Sequence, residues 1–328
     1  MAETPGEPHA VTPLGLAIVG TGKFARRVHI PNLPRVPGLR LRACMDLIEA
    51  NAREGANKAG ADYFTTDLAR VLADPEVDVV LVGAPADRHV ALSMAAARAG
   101  KAVFCEKPMG ANLAECRALA SVLDQTRTPY MLGYCYRFNA AVENLRPRLE
   151  PQMTTVHVHC RTGESTYAFF QDNVCHALDL LYFFHRCEPV EVQAAGNRPW
   201  WPGPVAKADG WMSVNVHFEN GSLATIVAGP KAGRFADKWY YRFCGADGRV
   251  GEIVGYRQSR VLGEADTEFS DESSYHSGHL KELQLLADAV RKGRPPPVTA
   301  RDGLRVNLML EAVARSYESG AGVRLAAL

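Results

Sequence analysis

A chain of 328 residues, 47% apolar and 22% charged, exceeds what one ordinary hydrophobic core supports and predicts two domains. Its formal net charge of +1 supplies no basic field for nucleic acid or an anionic membrane surface. No apolar run reaches the length of a membrane span.

Residues 1–12 are polar and proline-rich, without the apolar stretch of a secretory leader, and are expected to form a mobile tail. From 13 to 133 short apolar runs alternate with helical patterns. Strands are expected over 14–19, 41–45, 77–82, 102–105 and 130–132, and helices over 48–59, 68–72, 89–99 and 113–123. Near-continuous apolar strands suit burial on both faces. Their alternation with helices predicts an α/β domain with a doubly wound parallel sheet.

The first strand runs into Gly20-Thr21-Gly22-Lys23-Phe24-Ala25, a G-x-G-x-x-A fingerprint for a dinucleotide. Gly20 allows the tight turn, Gly22 lets backbone approach a pyrophosphate, and Ala25 keeps helix against strand. Lys23 and Phe24 lie in the same turn. The pyrophosphate would rest on the helix N-terminus, where free N–H groups favour an anion. Arg26 and Arg27 read as a solvated helix face. Asp46 ends the second strand, where a carboxylate accepts from the adenosine ribose hydroxyls and repels a 2′-phosphate. No Arg or Ser follows it directly, so NAD is favoured over NADP.

The run 102–105 ends in Glu106-Lys107-Pro108. Ligands of open α/β sheets bind beyond the carboxyl ends of the strands. The proline biases Lys107 away from the α region. On these residues alone, a surface Glu–Lys pair at a strand end is the better reading.

From 134 to 328 the pattern changes. Helices are expected over 140–149 and 172–185. Alternating segments follow at 190–195, 211–218, 222–228, 240–244 and 249–254, with Asn220-Gly221 as a hairpin turn. This describes an α+β domain with a large, mostly antiparallel sheet. Two more helices, over 278–291 and 302–318, are separated by Gly293 and by Pro295, Pro296 and Pro297. His157 and His159 alternate with Val156 and Val158 and read as one face of a strand. Pro199-Trp200-Trp201-Pro202 would cover an interface or stack on a sugar ring. Cys44, Cys105, Cys116, Cys135, Cys160, Cys175, Cys187 and Cys244 are scattered without a C-x-x-C pair. That spacing predicts no metal site and reduced thiols in the cytoplasm.

With the fingerprint, Glu106-Lys107-Pro108 and the two-part layout together, the chain resembles the glucose-fructose oxidoreductase/inositol dehydrogenase/rhizopine-catabolism (Gfo/Idh/MocA) family along nearly its whole length. Ala84-Pro85-Ala86-Asp87-Arg88-His89 resembles the family's T-P-x-x-x-H turn. Tyr136-Arg137-Phe138 resembles its R-F segment at the domain junction. Asp172-Asn173-Val174-Cys175-His176-Ala177-Leu178-Asp179 resembles its D-x-G-x-H-x-x-D. The resemblance implies a Rossmann domain followed by an α+β domain whose sheet leaves one face open. It also implies catalysis by Lys107, Asp172 and His176. Ala84, Pro85, His89, Glu106, Lys107 and Arg137 would join the fingerprint and Asp46 around NAD or NADP.

The residue chemistry agrees with that set. Asp172 and His176, four apart, share a helix face. Histidine titrates near neutrality and suits a base for a hydroxyl proton. A lysine ammonium stabilises developing alkoxide charge. Asp172 would orient substrate, pair with Lys107 or tune the histidine. Asp179 is expected to be structural, and Glu106 to face the cofactor or position Lys107.

The implied substrate is a secondary hydroxyl of a sugar, cyclitol or glycoside. A cofactor-retaining isomerase or eliminase and a nonenzymatic ligand-sensing regulator are the alternatives on the same fold. The open sheet face would be covered in a homodimer or homotetramer. Two departures stand out. Ser165 to Gln171 replaces the glycines before Asp172, bringing Tyr167, Phe169 and Phe170, and Val174 replaces the glycine between Asp and His. These rings would either reshape the substrate pocket for a larger or more apolar group, or fill core or interface space.

Overall fold

Strand β1 (Leu14–Val19) lies at the centre of a six-stranded parallel sheet. The computed structural model describes residues 12–160, 173–196, 211–230, 239–269 and 278–328. Residues 1–11, Asp172, the stretch 165–171, Trp200 and Trp201 lie outside these, so the expectations placed on them are not addressed by the structure. The remaining strands are β2 (Leu39–Met45), β3 (Tyr63–Thr65), β4 (Val79–Val82), β5 (Ala102–Cys105) and β6 (Tyr130–Leu132), in the order β3-β2-β1-β4-β5-β6. Every residue of β4 and β5 is buried, as strands covered by helices on both faces require.

The order reverses between β1 and β4, which opens a crevice beyond their carboxyl ends. Helices that flank this sheet include Glu49–Ala59, Leu68–Ala73, Ala86–Arg98 and Leu113–Thr126. The last is capped by Asn112, whose side chain accepts from the Glu115 N–H at 2.9 Å. Strand β3 was not expected. Its three residues, of which Tyr63 and Phe64 are only partly buried, are too few to show a period, and cation–π contacts from Arg42 and Arg70 hold Tyr63 in place.

The second sheet has nine strands in the order β14-β13-β12-β11-β7-β10-β9-β8-β15. In chain order they are β7 (Pro151–Cys160), β8 (Pro189–Gly196), β9 (Met212–Phe218), β10 (Leu223–Pro230), β11 (Trp239–Gly245), β12 (Val250–Val254), β13 (Gln258–Val261), β14 (Thr267–Glu268) and β15 (Val323–Arg324). All pairs are antiparallel except β7 with β10. Thr154, Val156 and Val158 of β7 are buried toward helix Cys175–His185, and Thr155, His157 and His159 are half-buried on the opposite face. The two histidines therefore occupy the strand face that their alternation suggested. Gly221 (φ +81°) turns the β9–β10 hairpin, and the Asn220 side chain accepts from the Ser222 N–H at 3.0 Å.

On that outer face Arg242, Glu252 and Arg260 stand side by side across β11, β12 and β13. The Glu252 carboxylate is covered by its partners. It accepts from Arg242 Nη2 at 2.6 Å, Arg260 Nε at 2.6 Å and the Tyr240 hydroxyl at 2.5 Å.

Helix Ala300–Ser319 joins the two sheets. Thr299 and Asp302 form its capping box, Asn307 Nδ2 donates to the Gly110 carbonyl at 3.0 Å, and Ser316 Oγ accepts from the Ala194 N–H at 2.8 Å. The described cysteines are free thiols, and burial pushes Cys44 and Cys116 up to about 12, which keeps them protonated. Among the described residues no helix is long and apolar enough to cross a membrane.

Candidate active site

The phosphate-binding turn is made by what its residues lack. Gly20 has φ +92°, and a Cβ there would come within 2.5 Å of the Ala84 backbone nitrogen, so only glycine fits between β1 and the turn after β4. A Cβ on Gly22 would meet nothing within 4 Å and would project into open space at the start of helix Lys23–Arg27. Such a cradle fits a pyrophosphate on exposed N–H groups. Ala25 is buried against the sheet, whereas Lys23 and Phe24 are exposed. Arg26 turns inward: its Nη1 donates to the Thr21 carbonyl at 2.6 Å and to Asn51 Oδ1 at 2.8 Å, which braces the loop from behind.

Asp46 stands at the carboxyl end of β2, half-buried. Its Oδ1 accepts from the Ile48 N–H at 2.9 Å and from Asn51 Nδ2 at 3.4 Å. The N-cap of the next helix is Ile48, so Asp46 does not cap that helix. Leu47 and Ile48 beside it are 84% and 62% exposed, an apolar surface next to the carboxylate. This fits a ribose diol and an adenine, and the carboxylate repels a 2′-phosphate.

The Glu106-Lys107-Pro108 turn is made by buried side chains. The Lys107–Pro108 bond is cis, and Lys107 is half-buried beyond β5. Glu106 Oε1 lies 2.6 Å from His29 Nε2, and Oε2 accepts the Lys107 backbone N–H at 3.2 Å. Burial raises the Glu106 pKa, but the hydrogen bond and charge of His29 outweigh it and hold the carboxyl below the usual range, at about 2. His89 bridges the two turns: Nδ1 is 2.7 Å from the Pro108 carbonyl and Nε2 is 2.8 Å from the Ala84 carbonyl. Two carbonyl acceptors are both satisfied only by the doubly protonated ring. Burial disfavours that charge, but the Cys105 thiol and the two carbonyls outweigh it and lift the pKa to about 9.

The end of β6 lies beside the end of β5, where Gly133 N–H donates to the Cys105 carbonyl at 2.8 Å. Tyr134 and Tyr136 follow directly and reach His176 on helix Cys175–His185, with ring centroids 6.0 and 4.4 Å from the imidazole. Tyr136 also stacks on Tyr256 at 4.0 Å, and Trp239 lies 5.7 Å from Tyr136. Lys107 thus follows the end of β5, and the rings that follow the neighbouring β6 reach His176 on its helix, with Tyr256 and Trp239 packed against Tyr136.

Arg137 is directed elsewhere. Its Nε and Nη2 donate to Asp179 at 2.8 and 2.5 Å, and Nη2 also donates to Asp302 at 3.0 Å, in a buried ion pair linking the domain junction to helix Ala300–Ser319. This geometry gives Arg137 a structural place instead of the cofactor contact expected of it. Asp179, expected to be structural, is its partner. His89, likewise expected at the cofactor, clamps two cofactor-facing turns through backbone atoms.

Three buried residues escaped the sequence reading: His29, His279 and Glu282. His29 offered the only local signal, a histidine flanked by Val28 and Ile30 in an apolar segment just after the fingerprint.

Residues 14–134 match the model of an oxidoreductase family with an NAD-binding Rossmann fold, and residues 159–325 match the C-terminal alpha/beta domain of the same family. The chain belongs to the Gfo/Idh/MocA oxidoreductase family. Its Rossmann domain is an NAD-binding one, and its second sheet is that of the family. Among its Gfo/Idh/MocA relatives, myo-inositol 2-dehydrogenase of Thermotoga maritima is 26% identical over 94% of this chain and 98% of that protein. The scyllo-inositol 2-dehydrogenase (NAD(+)) of Bacillus subtilis is 24% identical over 94% and 95%. In fold the chain is similar to scyllo-inositol dehydrogenase from Lactobacillus casei, solved with NAD(H) and scyllo-inositol (TM-score 0.78, 19% identity, 96% and 100% coverage). It is also similar to aldose-aldose oxidoreductase from Caulobacter crescentus, solved with glycerol (TM-score 0.82, 24% identity, 95% and 100% coverage).

Proposed function

We propose that this oxidoreductase interconverts a secondary alcohol and a ketone on a sugar or cyclitol ring, with Lys107, His176 and Asp172 as its catalytic set. The observation that carries this reading is the meeting of two strand ends. Lys107 follows β5 beside the switch point, and Tyr134 and Tyr136 after β6 bring His176 to the same edge. Relatives named as inositol dehydrogenases along nearly the whole chain support a ring polyol as substrate.

In the oxidative direction His176 accepts the hydroxyl proton, for which an imidazole is suited near neutral pH. The Lys107 ammonium donates a hydrogen bond to the same oxygen and stabilises the alkoxide as it forms. Asp172, four residues before His176, is assigned to hold either group in orientation. The Gly20–Gly22 turn anchors the dinucleotide by its pyrophosphate, and Asp46 anchors it by the ribose. Bound NAD supplies the hydride acceptor. The partly exposed ring of Tyr136 offers a flat apolar surface to the C–H face of a ring polyol. The half-buried outer face of the nine-stranded sheet supports a homodimer or homotetramer, which light scattering would measure, and the free thiols suit the cytoplasm.

The test is turnover of a panel of inositols, aldoses and glycosides with NAD and with NADP, read as reduced cofactor formed. NAD-dependent turnover of at least one ring polyol is expected. Protein that carries tightly bound NAD and releases no NADH on any panel member would overturn net dehydrogenation in favour of a cofactor-retaining isomerase or eliminase.

A further inference from the structure

Against Glu106, the neighbour of Lys107, lies a buried cluster of ionisable groups drawn from opposite ends of the chain. Glu106 and His29 come from the Rossmann domain. Helix His279–Arg291 contributes His279 and Glu282, and Cys135 approaches from the turn after β6. Glu282 is wholly buried, and one of its oxygens is 2.8 Å from His279 Nδ1. The other, Oε2, has no hydrogen-bond partner. One oxygen each of Glu282 and Glu106 lie, with a His29 nitrogen, within 4.8 Å of one another. The rings of Phe24, His29 and His279 pack edge to face around the cluster at 5.5 to 5.9 Å and keep water from it.

Two carboxyls this close in an apolar enclosure do not both ionise; one keeps the charge and the other the proton. The surroundings decide which. Glu106 accepts from His29 and from the Lys107 N–H, and so is the better anion. Glu282 faces that anion from a fully buried position, and burial together with the Glu106 charge pushes its pKa well above the carboxylate range.

We propose that Glu282 is a positioning residue for Lys107: a neutral carboxyl, hydrogen-bonded to His279, that lets Glu106 stay charged on the Lys107 turn and fixes that turn from the second domain. The chain His279–Glu282–Glu106–Lys107 makes the orientation of the lysine depend on how the two halves of the protein are docked. The same donors also resemble a metal site, but the 2.6 and 2.8 Å contacts are hydrogen-bond distances within the cluster, and each pairs a nitrogen with a carboxylate oxygen.

The inference rests on Lys107 being the catalytic ammonium, and its test has one readout that needs no turnover. Lysines are ¹³C-methylated, and the Lys107 resonance is assigned by its loss in Lys107→Arg. Its chemical shift and titration are expected to match wild type in Glu282→Gln, the neutral isostere, and to move in Glu282→Ala. In turnover, Glu282→Gln is expected to hold kcat within about threefold, and Glu282→Ala to lower kcat by about 10- to 100-fold with KM little changed. A loss of kcat of about tenfold or more in a folded Glu282→Gln would show an ionised Glu282 and overturn the proposal, whether or not the alanine variant folds. Unchanged lysine shift and kcat in a folded Glu282→Ala, or one equivalent of zinc retained by the purified protein, would overturn it as well. A wild type without turnover on any polyol, but with the expected lysine shifts, would count against the proposed reaction alone.

Discussion

The two cofactor-facing turns of the Rossmann domain are built in opposite ways. The Gly20–Ala25 turn works by absence: a Cβ on Gly20 would strike the Ala84 backbone, and none on Gly22 fills the open space beside it. The Glu106–Pro108 turn works by occupancy: His29, Glu106 and His89 fill the space behind it with buried hydrogen bonds. A turn built from backbone is sensitive to added atoms and insensitive to pH. A turn built from buried ionisable groups tolerates little loss of side chain and carries a pH dependence.

Five substitutions sharpen or break this contrast, and the largest effect belongs to the chemistry. Lys107→Ala and His176→Ala are each expected to lower kcat by about 10²- to 10⁴-fold, the range for a lost acid–base or charge-stabilising group. A loss below tenfold in the double variant would remove both residues from the mechanism.

Next comes Gly20→Ala. The positive φ and the 2.5 Å approach to Ala84 predict a loss of roughly 3 kcal/mol or more in urea unfolding, since strain and overlap add. An unchanged unfolding midpoint would show that the turn can relax and is not fixed by backbone.

His89→Gln tests the other turn. The folded-state pKa of about 9 lies above the ordinary 6.5, so the folded protein holds a proton that the unfolded chain gives up. The resulting stability is complete below pH 6.5 and is lost as pH rises toward 9, with an upper bound of about 3 kcal/mol. Wild type should therefore lose stability across that window, and His89→Gln should flatten the loss. A wild-type profile flat from pH 6.5 to 9 would refute the charged clamp.

The smallest effect is the most selective. Gly22→Ala adds a methyl where nothing lies within 4 Å and where φ is −62°, so stability should stay within about 0.5 kcal/mol of wild type. NAD affinity, measured by fluorescence titration, should fall about tenfold or more, because the methyl occupies the place of the pyrophosphate. Unchanged affinity would mean that the dinucleotide does not lie against Gly22.

The same contrast accounts for what the sequence disclosed. The first turn was legible because its constraints are local: glycine spacing, a strand before and a helix after. The second was legible only as Glu-Lys-Pro. Its support comes from His29, 77 positions away from Glu106, and from Glu282 near the far end of the chain. No periodicity records such contacts. Arg137 was misplaced for the same reason, because its partners Asp179 and Asp302 meet it only in the folded chain. Strand β7 could be read from the alternation at 156–159, but its place at the centre of the second sheet, parallel to β10, is a long-range outcome.

The charged row across β11, β12 and β13 has a consequence for assembly. Arg242, Glu252 and Arg260 are direct lateral neighbours, and Glu252 lies covered between them. Sliding either neighbouring strand by one residue would turn its arginine to the helix side and leave a carboxylate without its cation. The row therefore penalises misaligned pairings while the sheet is forming, in addition to the buried Tyr241, Phe243 and Ile253 on the opposite face. It acts as a second checksum on strand alignment in this half of the sheet.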